Sequence, residues 1–376
     1  MASSLLPLPD RPSLGFRIAS TFQMGWVGTA CRSFLLAFNR LEVNGWDGFK
    51  KLLDEREDVA ARQRGLITVS NHTSVLDDPA LWGALPYSYH WNPDSLRWSL
   101  ASHDLAFQSR FTSFFFTIGN TLPCHRAAHS PYGGLFQPTM TQAIRLLSNG
   151  PFAAPPVVPS ETSLTRADIP DPFSDSQLTY STNGQDSFPA PSAYANRRFA
   201  WVHIFPEGKV HQKTDKTMRY FKWGVSRLIL EADTVPDLVP IWIEGFDSVM
   251  HESRTFPRFI PRGNNDVSVT FGEKVDMEAR FGDLRSKWQQ LKAKVPAKAG
   301  QPDELGVIRD IDLMTGHEAV ELRKECTMRV REEVLKVRRG RGLPDEDPKC
   351  GLVETWREEA GAQQGLMGDG SYVKDM

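Results

Sequence analysis

The nine residues Asn71 to Pro79, read N-H-T-S-V-L-D-D-P, constrain the fold more than any other stretch of the chain. They follow a short apolar run, Leu66-Ile67-Thr68-Val69-Ser70, which reads as a buried strand. Within them His72 and Asp77 stand five residues apart. On one unbroken helix that spacing would rotate the two side chains about 140° away from each other, at about 100° per residue. They can meet only if the chain turns between them, as a strand end passing into a helix start. Ser70, Asn71, Thr73, Ser74 and Asp78 are residue types that make such a turn and cap it.

A paired His and Asp suit general base catalysis. The carboxylate fixes the imidazole tautomer and stabilises the imidazolium, and the second ring nitrogen is left to take a proton from a hydroxyl. The same spacing also suits a histidine that only hydrogen-bonds at a helix start. Ser74 is a third reading, as a nucleophile, but the chain has no G-x-S-x-G elbow to present it. Asp78 reads as a helix cap or a support behind the pair.

The chain has 376 residues and a net charge of −2, so it carries no global basic field for nucleic acid. Cys31, Cys124, Cys326 and Cys350 are scattered without a C-x-x-C pair, which argues against a zinc site or a disulfide framework. No metal is expected. Asn71-His72-Thr73 matches a glycosylation pattern, which is read as accidental inside the candidate site. The longest apolar N-terminal run, Ile18 to Cys31, lies between Arg17 and Arg32 and is too short to span a bilayer. It is expected to lie in a membrane interface, with Trp26 as an anchor, or to form a buried helix. Arg11, Arg17, Arg32 and Arg40 against Asp10 give an acid-poor start that resembles a mitochondrial targeting segment.

Along the chain, a helix is expected over Gly15 to Leu41, a short strand and turn at Leu41 to Gly45, and a polar helix from Trp46 to Arg62. A strand is expected at Arg97 to Ala101. Phe111, Phe114, Phe115 and Phe116 read first as core and second as a wall for an acyl chain. Residues 151–196, rich in Pro, Ser and Thr, read as a disordered insertion. Strands are expected at Arg198 to Phe205, Leu238 to Glu244 and Val267 to Phe271, and a charged helix from Glu318 to Arg339. Gly361 to Met376 reads as a loose tail. Met218 to Ala232 reads as a helix. In it Arg219, Phe221, Lys222, Trp223 and Arg227 suit an anionic membrane surface, and equally a packed helix with one solvated face. The resulting division is an N-terminal segment over 1–45, a central domain over 46–275 and a charged helical region over 276–376.

Strands and helices alternate from Leu66 to Phe271, which predicts an α/β fold. His72, Arg126 and Glu207 each follow an apolar run, and such strand ends are where open α/β sheets hold ligands. Asn71 to Asp77 resembles the first signature of the glycerophospholipid acyltransferases. Gly119 to Arg126 resembles their second block, Phe205-Pro206-Glu207-Gly208 the third, and Val239-Pro240-Ile241 the fourth. Three longer stretches, Met24 to Thr29, Trp201 to Val210 and Arg219 to Ile229, are similar to the branch of mitochondrial phospholipid–lysophospholipid transacylases.

That resemblance implies one α/β domain with a central mixed sheet flanked by helices. It implies His72 as base and Asp77 as its orienting partner. Arg126, with Gly119, would meet the acceptor's phosphate; Glu207 and Gly208 would bind its glycerol or brace the loop. It implies no cofactor, and phosphatidylcholine, cardiolipin and monolysocardiolipin as substrates. The setting would be mitochondrial membranes facing the intermembrane space, with peripheral attachment. Arg126 is followed by Ala127-Ala128 where the family has a Gly, and Lys209-Val210 replaces the Thr-Arg of acyl-CoA-dependent relatives. The alternatives are an acyl-CoA-dependent lysophospholipid acyltransferase and a lipid-binding scaffold without activity.

Overall fold

The strands at Leu66–Ser70, Trp201–Ile204 and Asp237–Glu244 carry apolar side chains on both sides, and the fold covers both sides. A computed structural model describes residues 13–149 (apart from 93, 128 and 131–132), 199–295 and 305–357, with short strands at Thr179–Tyr180, Phe188–Pro189, Gly365–Leu366 and Tyr372–Val373. In chain order the main elements begin with α1 (Leu14–Phe38), β1 (Arg40–Asn44), α2 (Trp46–Glu55), β2 (Leu66–Ser70) and α3 (Asp77–Trp82). Next come β3 (Ser99–Ser102), α4 (His103–Ala106), α5 (Arg110–Ile118), β4 (Thr121–Cys124) and α6 (Pro138–Leu146). The rest are β5 (Trp201–Ile204), α7 (Gly224–Leu230), β6 (Asp237–Glu244), β7 (Asp266–Phe271), α8 (Met277–Ala293) and α9 (His317–Gly340).

The central sheet runs β1-β7-β6-β2-β5. β6, β2 and β5 are parallel, β7 is antiparallel to β6, and β1 is parallel to β7. A bridge from Trp98 to Val202 leads on to the parallel pair β3-β4. There the Trp98 amide donates to the Trp201 carbonyl, and the His203 amide donates to the Trp98 carbonyl, each at 2.7 Å. The fold is therefore α/β with a mixed sheet.

Successive side chains of a strand point to opposite faces. Ile67, Val69, Val202, Ile204, Leu238 and Trp242 pack with residues of α6, α7, α8 and α9. Their alternates Leu66, Trp201, Val239, Ile241 and Ile243 pack with Phe49, Leu52, Leu53, Leu81 and Trp82 of α2 and α3. With both faces covered, β2 and β6 read as near-continuous apolar runs. One core continues from the sheet into α8 and α9 through Phe281, Trp288, Cys326 and Val330.

Helix α1 has two opposed apolar stripes. Phe16, Ser20, Met24 and Gly28 are buried, whereas Leu14, Ile18, Phe22 and Trp26 are 61–68% exposed. The stripes are offset by two residues, about 200° around the helix. A Cβ on Gly25 would fall 2.3 Å from the Trp91 ring, and one on Gly28 would fall 2.6 Å from the His90 ring. These glycines let α1 lie against the turn Tyr87–Trp91. Among the described residues, no helix is long and apolar enough to cross a membrane.

Several expectations change. α2 stops at Glu55 and a separate turn follows at Val59–Ala61. The helix expected over Met218 to Ala232 is confined to Gly224–Leu230 and is buried throughout Val225 to Leu230. Before it, tertiary hydrogen bonds replace helical ones: the Arg219 amide donates to Glu207, and the Lys222 amide to the Pro206 carbonyl. Arg219 and Phe221 are buried. Arg227 is 1% exposed and forks onto Glu231 at 2.6 and 2.7 Å. Lys222 is exposed and Trp223 half-buried. Most of this segment, both arginines included, is packed into the core, and Lys222 is its exposed cation. Phe111 and Phe115 are exposed and Phe114 and Phe116 half-buried, so of the α5 aromatics expected as core, Phe114 packs against it while Phe111 and Phe115 do not. The expected insertion over 151–196 lies outside the described residues, apart from Thr179–Tyr180 paired with Phe188–Pro189. The expected loose tail also lies mostly outside them. Its described parts, however, pair with each other, and Tyr372–Val373 pairs with His211–Gln212.

Because Arg227 and Glu231 are a buried, forked pair, Arg227→Glu sets two carboxylates together in the core. We expect the variant to lose about 3 kcal/mol or more of unfolding free energy, measured by urea denaturation followed by circular dichroism. A loss below about 0.5 kcal/mol, the usual surface value, would contradict the burial.

Candidate active site

At the end of β2 the Asn71 side chain takes over from the strand ladder. Its Nδ2 donates to the Ile243 carbonyl and its Oδ1 accepts from the Ile243 amide, both at 2.9 Å. This fixes where the chain leaves the sheet. The next residues turn tightly, and Asp77 at the start of α3 folds back over them. Its Oδ2 accepts the Thr73 amide at 2.5 Å, the Ser74 amide at 2.8 Å and His72 Nδ1 at 2.8 Å. Its Oδ1 accepts the Thr73 hydroxyl at 3.2 Å. The turn required by the five-residue spacing is thus made by the carboxylate itself.

Two amides donate to Asp77 Oδ2, which marks that oxygen as an acceptor, so His72 Nδ1 carries the proton. His72 Nε2 is then the basic nitrogen, and no described protein group hydrogen-bonds to it. The His72 side chain is 16% exposed, whereas Asp77 is fully buried. Burial pushes the Asp77 carboxyl above its ordinary range, against the opposing pull of His72 and the two amides.

Three further groups hold the imidazole. The Phe205 ring stacks on it, with centroids 4.5 Å apart and planes at 27°. His203 packs edge-on behind Phe205 at 4.5 Å and hydrogen-bonds through Nδ1 to the Thr68 hydroxyl at 2.8 Å. Burial pushes His203 down to about 3, so it is a neutral packing residue. Glu207 is buried and spends both oxygens on backbone: Oε1 accepts the His72 amide and Oε2 the Arg219 amide, each at 2.8 Å. Burial raises the Glu207 carboxyl to about 7, although both amides favour its charged form. Here Glu207 braces the His72 loop. Gly208 follows at φ +67°, in the left-handed region that favours glycine, and a Cβ there would fall 2.6 Å from the Lys222 side chain.

Arg126 follows β4 and lies on the same edge of the sheet as His72. It is three strands away from β2, or about 14 Å at ~4.8 Å per strand. Its guanidinium forks onto Asp104, through Nε to Oδ1 at 3.0 Å and through Nη2 to Oδ2. The Arg126 side chain pulls the Asp104 carboxyl below the ordinary range. Gly119 is not brought to this edge. It ends α5 before β4 begins, a four-residue strand or about 13 Å from the Arg126 end at ~3.3 Å per residue. Its carbonyl accepts from Arg97 Nη1 at 3.4 Å, and it serves the turn into β4.

Asp78 pairs with Arg97 at 2.5 Å and accepts from Trp82 Nε1 at 3.1 Å, tying α3 to β3. The Ser74 hydroxyl is buried and donates to the Met250 carbonyl at 3.2 Å, which leaves it no access as a nucleophile. Among the described residues, no cluster of three His, Cys, Asp or Glu side chains is placed to hold a metal ion. The sequence reading left Glu207 open between binding glycerol and bracing the loop, and it missed the stacking role of Phe205. It also missed Gln212, whose Nε2 donates to the Thr73 carbonyl at 2.8 Å. The block Phe205 to Gly208 was the one local signal for the first two.

The raised Glu207 carboxyl makes a pH prediction. A carboxyl whose folded value stands above its unfolded value binds its proton more tightly when folded. Its contribution to stability is full below about 4.5 and is lost as pH climbs through about 7. We expect the unfolding midpoint of the wild type to fall across that window more steeply than that of Glu207→Gln. The variant should also be less stable throughout, because its amide nitrogen cannot accept from a backbone N–H. Parallel slopes in urea unfolding from about pH 4.5 to 7.5 would contradict the assignment.

Against this geometry, similarity to other proteins is informative. A family model described as Acyltransferase matches residues 51–244, which include β2, α3, β4 and β5 and all of the edge just described. The chain is 32% identical to tafazzin of Saccharomyces cerevisiae over 337 residues, covering 86% of this chain and 80% of the yeast protein. It is 27% identical to tafazzin of Drosophila melanogaster over 283 residues, covering 75% of this chain and 58% of the fly protein. It is 29% identical over 242 residues to an N-acylphosphatidylethanolamine synthase of Arabidopsis thaliana, covering 64% of each. With a buried Asp orienting a His at the carboxyl edge of its sheet, and with matches of this extent, the chain is an acyltransferase and belongs to the tafazzin family.

Proposed function

We propose that this chain is a CoA-independent transacylase that moves fatty acyl groups between phospholipids and lysophospholipids. The observation that carries the reading is the contact of His72 Nδ1 with buried Asp77, which leaves Nε2 as the base. In the proposed step Nε2 takes the proton from the free hydroxyl of a lysophospholipid. The oxygen then attacks the ester carbonyl of a donor phospholipid, and the tetrahedral intermediate expels the donor's glycerol oxygen. His72 returns the proton to that oxygen. One ester is broken and one formed, so no activated thioester is needed and one base serves both directions.

Arg126 would meet the acceptor phosphate through its planar fork, with phosphate oxygens replacing those of Asp104. Glu207 would keep the His72 loop in place. Cardiolipin and monolysocardiolipin are the proposed physiological pair, with phosphatidylcholine as donor. The proposed setting is mitochondrial membranes facing the intermembrane space. Attachment would be peripheral, through the exposed α1 stripe of Leu14, Ile18, Phe22 and Trp26 and the neighbouring Phe111 of α5.

Purified protein free of acyl-CoA is expected to move labelled acyl chains from phosphatidylcholine to a lysophospholipid, reversibly and without acceleration by CoA. Transfer that appears only with acyl-CoA would replace this reading with an acyl-CoA-dependent lysophospholipid acyltransferase. Transfer to the amine of phosphatidylethanolamine alone would assign a different acceptor, as in the name of the Arabidopsis relative.

His72→Ala is expected to lower the rate by at least about a hundredfold, the low end for loss of a general base, with an unchanged circular dichroism spectrum. Asp77→Asn should lose most of the activity, because an amide there no longer selects the Nδ1–H tautomer. Full activity in His72→Ala would remove the mechanism.

A further inference from the structure

The loop from His251 to Arg262, which the sequence reading passed over, is rooted in the active-site turn. The Met250 carbonyl accepts the Ser74 hydroxyl at 3.2 Å. The Glu252 amide donates to Gln212 Oε1 at 3.1 Å, and the same Gln212 side chain holds the Thr73 carbonyl. From that root the loop carries its apolar side chains outward. Phe256 is 86% exposed, Phe259 73% and Ile260 44%. Phe38 at the end of α1 is 64% exposed and adjoins the far end of the loop, where the Asn264 amide donates to the Phe38 carbonyl.

Arginines alternate with these rings. Arg254 Nε donates to the Arg258 carbonyl at 2.5 Å and its Nη1 to the His251 carbonyl at 2.8 Å. Arg258 Nη2 donates to the Glu252 carbonyl at 2.9 Å, and Arg262 Nη2 to the Thr255 carbonyl at 3.2 Å. A guanidinium carries five N–H donors, and these contacts use one or two of them. Among the described residues, no carboxylate pairs with Arg258 or Arg262. The one acid of the loop, Glu252, is buried and lies 3.9 Å from Arg254. The arginines therefore brace the loop from within and leave its outer side cationic.

We infer that the segment Phe256 to Arg262 is a docking loop for an anionic lipid surface. Phe256, Phe259 and Ile260 enter the headgroup–acyl boundary, and Arg258 and Arg262 bind lipid phosphates. Rings and cations on one prebraced loop fit that interface. Its root on Ser74 and Gln212 sets the His72 turn against the membrane, so that acyl esters reach the base without leaving the lipid. The inference rests on the transacylase reading only for its purpose. Binding is measured without turnover, and His72→Ala should leave it unchanged.

The test is partition of the full chain onto phosphatidylcholine vesicles with and without an anionic phospholipid. Wild type should prefer the anionic vesicles. Phe256→Ser with Phe259→Ser should weaken partition about tenfold or more, since one inserted phenyl ring exceeds the free energy of a tenfold change. Arg258→Glu with Arg262→Glu should abolish the preference for anionic vesicles. Phe259→Trp guards against misfolding, because its added emission should be quenched by lipids brominated on the acyl chain. Equal partition of wild type and both double variants would overturn the proposal. So would an added indole emission in Phe259→Trp that such vesicles do not quench.

Discussion

The side chain on which the site depends is Glu207. It is a buried carboxylate whose two oxygens hold the amides of His72 and Arg219. It thereby links the reactive loop after β2 to the segment entering α7. That segment is fixed from the other side by α9. Arg331 donates to the carbonyls of Met218 and Arg219, and Arg338 to those of Asp215 and Lys216. Arg331 is itself held by Glu346 at 2.5 Å. The position of His72 therefore depends on α9, a helix that begins only at His317. Removing any link frees a backbone group in a dry interior, where an unsatisfied polar group is costly.

The strap sets position; other groups set orientation. Asp77 fixes rotation about the imidazole plane's Nδ1 side, and Phe205 fixes the plane itself. Asn71 fixes the exit from the sheet. With the backbone, the tautomer and the ring plane all held, Nε2 is the ring nitrogen left without a described protein partner, on the loop that follows β2. The carboxyl ends of parallel strands are where open α/β sheets leave loop residues for a ligand. Arg126 stands farther along the same edge, and its engagement with Asp104 keeps a desolvated cation satisfied.

The surface divides in a way that composition does not predict. Two segments mix basic and aromatic residues. In one, Arg219 to Arg227, both arginines are internal: Arg219 stacks on Trp356 at 4.4 Å and Arg227 forks onto Glu231. In the other, Arg254 to Arg262, the rings point outward. The sequences are alike in kind. Burial depends on what packs against each, and α9 covers only the first. The same holds for α1, whose apolar residues run all round the helix. The glycines at 25 and 28 select the face that meets the Tyr87–Trp91 turn, and the opposite stripe is left outside.

Much of the fold was legible because it is encoded locally. Short apolar runs marked β2 and β6, alternation marked β7, and turn residues marked their ends. The His72 to Asp77 spacing demanded a turn, and the turn is there, closed by Asp77 itself. What only the tertiary structure decided are contacts between distant segments. Glu207 became a brace because Arg219 came to lie beside it. Gly119 fell at the amino end of β4, because direction along a strand, not nearness in sequence, determines which end meets the site. A local pattern specifies a residue's conformation through its neighbours in the chain. Its exposure and its partners follow from long-range packing, which no stretch of sequence contains by itself.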